Sequence, residues 1–214
     1  MKIEKLVNEL VGTAVLLIAV VGSSYMAASL TSDKALSLLI VAAVTAAALA
    51  IIIKSGAAIS GAHYNPAVTI SSLLTGGMKT VEGLAYIVAQ VLGAIAGVVI
   101  ANAMFGEALF GASTVLRSGS GLFIGEIVAT SGLVYLALTA NEKSVWKMIP
   151  LWIFAAYFFT SSTSFANPAV TISRIFTEAP TGISSSSVLG FISAQVVGAL
   201  LAVLALKSKI VKGS

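Results

Sequence analysis

The sequence predicts an all-α membrane protein with six transmembrane helices and two re-entrant half-helices, arranged as an inverted repeat. Apolar residues make up 58% of the chain and charged residues only 9%. Uncharged stretches such as 36–53 reach the length of about 18 apolar residues that a membrane span requires. The heptapeptide Asn-Pro-Ala-Val-Thr-Ile-Ser also occurs twice, at residues 65–71 and 167–173. A motif copied half a chain apart indicates an internal duplication.

Along the chain, long apolar segments alternate with short polar ones. Full spans are predicted at about residues 7–30, 35–53, 81–104, 121–139, 150–161 and 187–206. Each heptapeptide opens a shorter helix of about ten residues, which at about 1.5 Å per residue crosses half of a hydrocarbon core about 30 Å thick. Irregular backbone at this depth is tolerated where it lines a cavity. The two half-helices are therefore predicted to meet at the membrane midplane.

The 214-residue chain is predicted to be one domain built from two inverted repeats, 1–104 and 121–206, joined by a loop at 105–120. Each half contains a span with a glutamate (Glu9 or Glu126), a second span, a half-helix, and a span with Gln-x-x-Gly. Three spans per half is an odd number, so the second half inserts upside down. Nine of the basic residues fall in inner segments and three in outer segments if the N-terminus is cytoplasmic. The positive-inside rule then predicts a multi-pass protein of the cell (inner) membrane with both termini in the cytoplasm.

Each Asn-Pro-Ala has the chemistry of a helix start. Asparagine is a preferred N-cap, whose side-chain oxygen accepts a hydrogen bond from the first turn, and proline at the first helical position loses no needed donor. The amide then keeps two N–H donors that face outward. Two such ends meeting from opposite sides would place donors and positive helix dipoles at a pore centre, which favours neutral molecules and repels cations. The residues of this predicted centre are Asn65, Pro66, Ala67, Asn167, Pro168 and Ala169.

With these motifs the chain resembles the aquaporin and glycerol-facilitator superfamily (major intrinsic proteins). The resemblance covers essentially the whole chain and rests on Ser-Gly-Ala-His-Tyr-Asn-Pro-Ala-Val-Thr at 60–69, the second Asn-Pro-Ala, and a glutamate in spans one and four. It implies the aquaporin fold, a homotetramer with one pore per subunit, and no cofactor. The implied partners are water, small neutral solutes and the lipid bilayer, with no nucleic acid. The pore-lining residues expected ahead of the two asparagines are Gly61, Ala62, His63, Tyr64, Thr163, Phe165 and Ala166.

The chain departs from the family in its selectivity filter. Most members have arginine three residues past the second asparagine, and here that position is Val170. Counting from the motifs places the other filter positions at Thr45, Ala155 and Ser164. This filter has no charge and no large ring, so it is predicted to be wide. The stretch resembles bacterial aquaglyceroporins linked to arsenic resistance, which implies glycerol-sized polyols and neutral metalloid hydroxides such as arsenite.

Four polar residues each have two interpretations. Glu9 and Glu126 would either form a proton relay or brace the re-entrant loops through backbone N–H groups, and the resemblance implies the brace. His63 would be a fixed wall residue or a pH gate. Arg174 lies one helical turn past Val170, so it would either charge the outer vestibule or be an interfacial or loop-pairing arginine, for example with Glu178.

Two other functions stay open: a water-selective channel despite Val170, and a secondary transporter. Such transporters also use inverted repeats and broken helices, but they need an intramembrane ion or proton site. The Ser118-Gly119-Ser120 segment is superficially similar to a serine protease motif. The enzyme reading is rejected because the sole histidine, His63, lies in the other half's loop, and one histidine without cysteine also argues against a metal site.

Overall fold

The computed structural model describes residues 2–212, and this part of the chain contains helices and loops but no strand. The helices, in chain order, are α1 (Ile3–Leu30), α2 (Lys34–Ser60), α3 (Pro66–Leu74), α4 (Thr80–Met104), α5 (Ser120–Thr139), α6 (Val145–Phe159), α7 (Pro168–Ser173), a 3-10 helix (Arg174–Phe176) and α8 (Ser185–Lys212). By length and composition, α1, α2, α4, α5 and α8 can each cross a membrane. The prediction of an all-α membrane fold with two short helices is confirmed.

The fifth predicted span is the shortest of the six long helices. Helix α6 has 15 residues, begins five residues before Pro150 and contains this proline in its interior. At about 1.5 Å per residue it reaches about 22 Å, less than the thickness of the hydrocarbon core. It ends where Thr160 turns to an extended conformation and leads into the second Asn-Pro-Ala motif. Its short length thus leaves room for the loop that precedes α7.

The long helices pack in corresponding pairs. Helix α1 packs against α4 and α2, α5 packs against α8 and α6, and α2 contacts α6 across the two halves. Glycines permit the closest approaches: a Cβ atom at Gly93 would collide with the carbonyl oxygen of Leu10, and one at Gly198 would lie 2.7 Å from that of Ile127. Backbone-to-backbone packing of this kind is typical of helices in membranes.

The two half-helices occupy the space between these pairs. Helix α3 contacts α4 of its own half and also α5 and α8 of the other half. Helix α7 contacts α8 of its own half and α4 of the other. Each short helix is therefore held by both halves, and this brings the beginnings of α3 and α7 together at the centre of the molecule.

Candidate functional site

The two asparagines cap the half-helices as predicted. Asn65 has an extended backbone, and its side-chain Oδ1 accepts a hydrogen bond from the backbone N–H of Ala67 at 2.8 Å. Asn167 repeats the arrangement, with Oδ1 2.9 Å from the backbone nitrogen of Ala169. The prolines that follow occupy the first helical position, where no donor is lost. The local chemistry of Asn-Pro-Ala thus fixes where each half-helix begins.

Each asparagine amide also donates across the centre of the molecule. Asn65 Nδ2 lies 2.7 Å from the carbonyl oxygen of Ala166, and Asn167 Nδ2 lies 2.8 Å from that of Tyr64. The two bonds are reciprocal, since each amide ties itself to the residue just before the other asparagine. One N–H of each amide is therefore committed to the protein. A single N–H per asparagine is left for a solute, where the sequence suggested two.

Glu9 is fully buried and binds the loop before Asn65. Its carboxylate accepts hydrogen bonds from the backbone nitrogens of His63 at 3.0 Å and Tyr64 at 2.7 Å. It also accepts from the Ser60 hydroxyl at 2.5 Å and from Gln90 Nε2 at 2.7 Å. A buried carboxylate is costly unless such donors surround it. These contacts favour the bracing interpretation over a proton relay.

Glu126 repeats this pattern in the second half. It is fully buried and accepts hydrogen bonds from the backbone nitrogens of Phe165 and Ala166, each at 2.9 Å. Gln195 Nε2 donates to it at 2.6 Å and also lies 2.8 Å from the Thr171 hydroxyl. The two carboxylates therefore act on corresponding loops through corresponding donors.

These braces set the direction of the loop carbonyls. In a trans peptide unit the N–H and C=O point in opposite directions. Because the N–H groups of His63 and Tyr64 point at Glu9, the carbonyls of Ala62 and His63 point away from it. Both of these residues line the central cavity. By the same argument the carbonyls of Ser164 and Phe165 point away from Glu126, and both residues also line the cavity.

The backbone of these two loops has unusual torsion angles. Among the described residues, five other than glycine have a positive φ, between 48° and 59°, and all of them lie in these two loops: Ala62, Tyr64, Thr163, Ser164 and Ala166. The left-handed region is uncommon for residues with a Cβ. Strain of this kind persists where surrounding contacts over-determine the backbone, which is often at functional sites. Here the braces and the crossed asparagine bonds supply those contacts.

A cavity of about 340 Å³ runs past both loops. Apolar side chains from α1, α2, α5 and α6 form much of its wall, including Leu16, Leu49, Leu133 and Ile153. The predicted site residues that line it are Thr45, Gly61, Ala62, His63, Tyr64, Asn65, Ser164, Phe165, Asn167, Val170 and Arg174. Of the positions predicted for the filter and the pore lining, three do not line it: Ala155, Thr163 and Ala166.

Ala155 is the filter position that the structure corrects. Its side chain is exposed on the outside of α6, and Tyr157 lines the cavity instead. Two residues along an α-helix correspond to a rotation of about 200°, so the counted register selected the wrong face. The Tyr157 hydroxyl lies 3.2 Å from Thr45 Oγ1. The lining therefore contains large rings, from Tyr157 and Phe165, that the predicted filter lacked.

His63 and Arg174 are held differently from one another. The half-buried His63 ring has Nδ1 3.0 Å from Thr69 Oγ1 and an edge-on contact with Tyr86, which favours a wall residue. Arg174 is 2% exposed, and its guanidinium carbon lies 3.5 Å from the centre of the Phe165 ring. No ion pair joins it to Glu178 in the described part of the chain, so the alternative of a loop pair with Glu178 has no support in the structure.

Sequence reasoning missed Gln90, Gln195 and Tyr157 as site residues. Gln90 Nε2 lies 3.0 Å from the Thr69 hydroxyl, as Gln195 does from Thr171 at 2.8 Å. A signal for both glutamines was present, because each belongs to a repeated Ala-Gln-Val segment at corresponding places in the two halves. Tyr157 had no such signal, since it lies outside both repeated motifs.

Comparisons with known proteins agree with this architecture. The profile of the Major intrinsic protein (MIP) family matches residues 1–164. The chain is 41% identical over 199 residues to aquaglyceroporin AqpS of Rhizobium meliloti (strain 1021), covering 92% of this chain and 85% of that protein. It is 39% identical over 145 residues to the probable aquaporin TIP2-2 of Oryza sativa subsp. japonica, covering 64% of this chain and 57% of that protein.

A solved structure shows the same fold at low sequence identity. The X-ray structure of the aquaglyceroporin from Plasmodium falciparum superposes with a TM-score of 0.76 at 18% identity, covering 94% of both chains. Together with the apolar helices, these matches make the chain a multi-pass membrane protein. Its paired asparagine caps, braced loops and sequence relatives place it in one family: the chain belongs to the major intrinsic proteins.

Proposed function

We propose that this protein is a passive channel for water and small uncharged solutes, and that its filter passes glycerol-sized polyols and neutral metalloid hydroxides such as arsenite. The observation that carries the proposal is the central cavity, which passes both asparagine caps and has Val170 where most family members have arginine. Relatives named aquaglyceroporin support the same class of solute.

The lining can replace the hydration shell of a neutral solute. A hydroxyl group that leaves water needs an acceptor for its hydrogen and a donor for its oxygen. The carbonyls of Ala62 and His63, and those of Ser164 and Phe165, supply acceptors along the cavity. Asn65 and Asn167 supply one free N–H each at its centre. Conduction needs such bonds to be weak and distributed over several positions, and the two loops and the two amides offer several positions.

The same centre disfavours cations. The N-termini of α3 and α7 both carry the positive ends of their helix dipoles, and both point at the asparagine pair. No carboxylate lines the cavity within the described residues. A cation therefore meets positive partial charge at the position where it has lost most of its water. We infer that the pore excludes ions and protons while it passes neutral molecules.

One observation favours a water-selective channel as the second candidate. The Tyr157 ring lies in the lining beside Thr45, where it occupies space that small filter residues would have left open. Val170 and Ser164 argue against water selectivity, because both side chains are short and uncharged and leave the filter wider. The relative permeability to water and glycerol separates the two candidates.

A secondary transporter has less support. It would need an ion or proton site inside the membrane, and the fully buried carboxylates are those of Glu9 and Glu126. Each already accepts hydrogen bonds from two backbone nitrogens and a glutamine. Neither carboxylate lines the cavity.

We further propose a homotetramer in the cell (inner) membrane with both termini in the cytoplasm and residues 1–104 and 121–206 as inverted repeats. The bias of lysine and arginine toward the inner segments supports the orientation. The matching contacts of Glu9 and Glu126 support the repeat, and the family resemblance supports the tetramer.

Flux measurements in proteoliposomes test the proposal. Stopped-flow light scattering would compare water, glycerol and arsenite in vesicles with and without the protein. We expect flux that rises linearly with the solute gradient and does not depend on any ion gradient. Saturable flux driven by a proton or sodium gradient would support the transporter instead. Water flux without glycerol flux would support the water-selective channel.

A further inference from the structure

Two buried polar groups in the cavity lining have no hydrogen-bond partner among the described residues. They are Oγ of Ser164 and Nε of Arg174. No hydrogen bond or ion pair joins any other part of the Arg174 guanidinium to a described side chain. Buried donors without partners are costly and rare in folded proteins. Both residues line a cavity that a solute would traverse.

The Arg174 guanidinium is held in place by stacking rather than by acceptors. Its carbon atom lies 3.5 Å from the centre of the Phe165 ring. The Arg174 carbonyl accepts a hydrogen bond from Ile183 N at 3.2 Å, which fixes the backbone at the beginning of the 3-10 helix. Stacking on a ring face leaves the planar set of N–H donors free at its edge. The donors are thus positioned without being used.

Arg117 also lies over the Phe165 ring, but its guanidinium is hydrogen-bonded. Its guanidinium carbon lies 5.0 Å from the Phe165 ring centre. Unlike Arg174, it donates to the carbonyl oxygens of Gly182 at 2.8 Å and Pro180 at 3.1 Å, and it does not line the central cavity. Arg117 therefore fastens a loop, whereas the donors of Arg174 have no comparable structural task.

We propose that Arg174 and Ser164 form a solute-binding site one helical turn beyond Val170, in which Arg174 takes over the cation-excluding and hydrogen-bond-donating role of the missing filter arginine. The inference rests on the proposed channel function. Arg174 donates to solute oxygens, and the Ser164 hydroxyl accepts from or donates to a neighbouring hydroxyl group. The Val170 side chain contacts the apolar side of the same molecule.

This combination of groups defines the class of ligand. A fixed cation with free donors binds oxygen acceptors and repels positive charge. A lone serine hydroxyl complements a group that both donates and accepts. Apolar surface beside them suits a carbon skeleton. The site thus fits a neutral molecule with at least two hydroxyl groups, such as a short polyol, and rejects ammonium-type cations of the same size.

The test compares Arg174→Met with Arg117→Met in proteoliposomes. Methionine keeps much of the length of arginine but removes its charge and its donors. Flux is normalised to the amount of inserted protein, a trapped pH-sensitive dye reports uptake of protons, and radiolabelled methylammonium reports uptake of a cation. We expect Arg174→Met to raise the cation leak about tenfold or more, because a nearby charge in a medium of low dielectric constant is a large barrier. Its glycerol-to-water permeability ratio should also change, while Arg117→Met should match the wild type in both readouts.

Two further variants separate charge from packing. Arg174→Lys keeps the charge but loses the fork of donors, so it should keep cation exclusion and still alter the glycerol-to-water ratio. Adding Val170→Arg to Arg174→Met should restore cation exclusion by returning the charge to the usual family position. If Arg174→Met does not insert into membranes, the Arg174→Lys ratio still decides the question.

The inference is overturned if wild type and Arg174→Lys give the same glycerol-to-water ratio and Arg174→Met excludes cations as the wild type does. A uniform loss of all fluxes in Arg174→Met, with unchanged ratios, would likewise show a purely structural role. Failure of the proposed function looks different: the wild-type protein itself would then give no passive flux of water or glycerol.

Discussion

The two re-entrant units of the molecule differ in their outer parts while sharing their inner parts. We define the first loop unit as residues 60–74 and the second loop unit as residues 161–176. In both units, two backbone N–H groups donate hydrogen bonds to a buried glutamate of a neighbouring helix. In both, the asparagine amide donates a hydrogen bond to a carbonyl of the other unit. Both also fix a threonine one turn past the asparagine with a glutamine.

The differences begin where the shared contacts end. Helix α3 has nine residues, whereas α7 has six and continues as a 3-10 helix that carries Arg174. At the two positions directly before the asparagine, the first unit has His63 and Tyr64, and the second has Phe165 and Ala166. The shared contacts set the position of the pore centre, and the divergent residues give each end its own lining. We therefore propose that selectivity depends on the residues that differ between the two units.

The largest effect is expected from removing either brace. Glu9→Gln and Glu126→Gln each replace a carboxylate that accepts from two backbone nitrogens and a glutamine. Hydrogen bonds to a charged group contribute about 1.5–3 kcal/mol each, so each variant should lose about 3 kcal/mol or more of stability. Thermal unfolding in detergent and water flux per inserted channel would measure this.

The exposed Glu107 offers a matched control, because Glu107→Gln makes the same chemical change in a surface loop. Equal damage from Glu9→Gln and Glu126→Gln is expected if the two units are equivalent in their inner parts. If only one of the two variants lost stability and water flux, the two units would not be equivalent in their inner parts.

A second test concerns the closeness of helix packing in the two halves. Gly93→Ala would drive a methyl group into the carbonyl oxygen of Leu10, while Gly198→Ala would place one 2.7 Å from that of Ile127. Overpacking costs about 1–3 kcal/mol, and we expect the larger loss for Gly93→Ala. Thermal unfolding in detergent gives the ranking. Gly190→Ala is the control because nothing lies within 4 Å of a Cβ atom there, and a reversed ranking would contradict the packing described.

The smallest effect is expected from loss of the crossed amide bonds. Asn65→Ser and Asn167→Ser keep a good N-cap but remove the donor to the opposite carbonyl. One neutral hydrogen bond contributes about 0.5–1.5 kcal/mol, so both variants should fold with slightly lower unfolding temperatures. Water permeability should fall by a similar factor in each, since each loses one of the two central donors. A large drop in only one variant would show that the centre is not shared equally.

The sequence predicted the parts of the fold that local chemistry determines. Asn-Pro at residues 65 and 167 predicted where α3 and α7 begin, because capping depends on the next three residues alone. The uncharged stretches predicted the long helices for a similar reason. The bracing of the loops by Glu9 and Glu126 was suggested by the family resemblance, and their buried contacts favour it.

The sequence could not predict what depends on the packing of distant segments. Counting back from Asn167 selected Ala155, because the count cannot fix the rotation of α6, and the structure turns Tyr157 inward. The hydrogen bonds from the asparagine amides to the opposite loop could not be predicted either. They depend on the Ala166 carbonyl lying beside Asn65 and the Tyr64 carbonyl lying beside Asn167. The spacing from Val170 left two alternatives open for Arg174, and the structure favours the cavity, which Arg174 lines.

The most direct test of the channel and its wide filter is the glycerol-to-water permeability ratio of the wild type and Val170→Arg, measured by stopped flow in the same vesicles. Arginine at this position would bring a long side chain and fixed donors into the cavity beside Ser164. We expect glycerol permeability to fall about tenfold while water permeability changes by less than about twofold, because a narrower pore rejects the larger solute first. An unchanged ratio, or a wild-type protein that conducts water but no glycerol, would contradict a filter widened by valine.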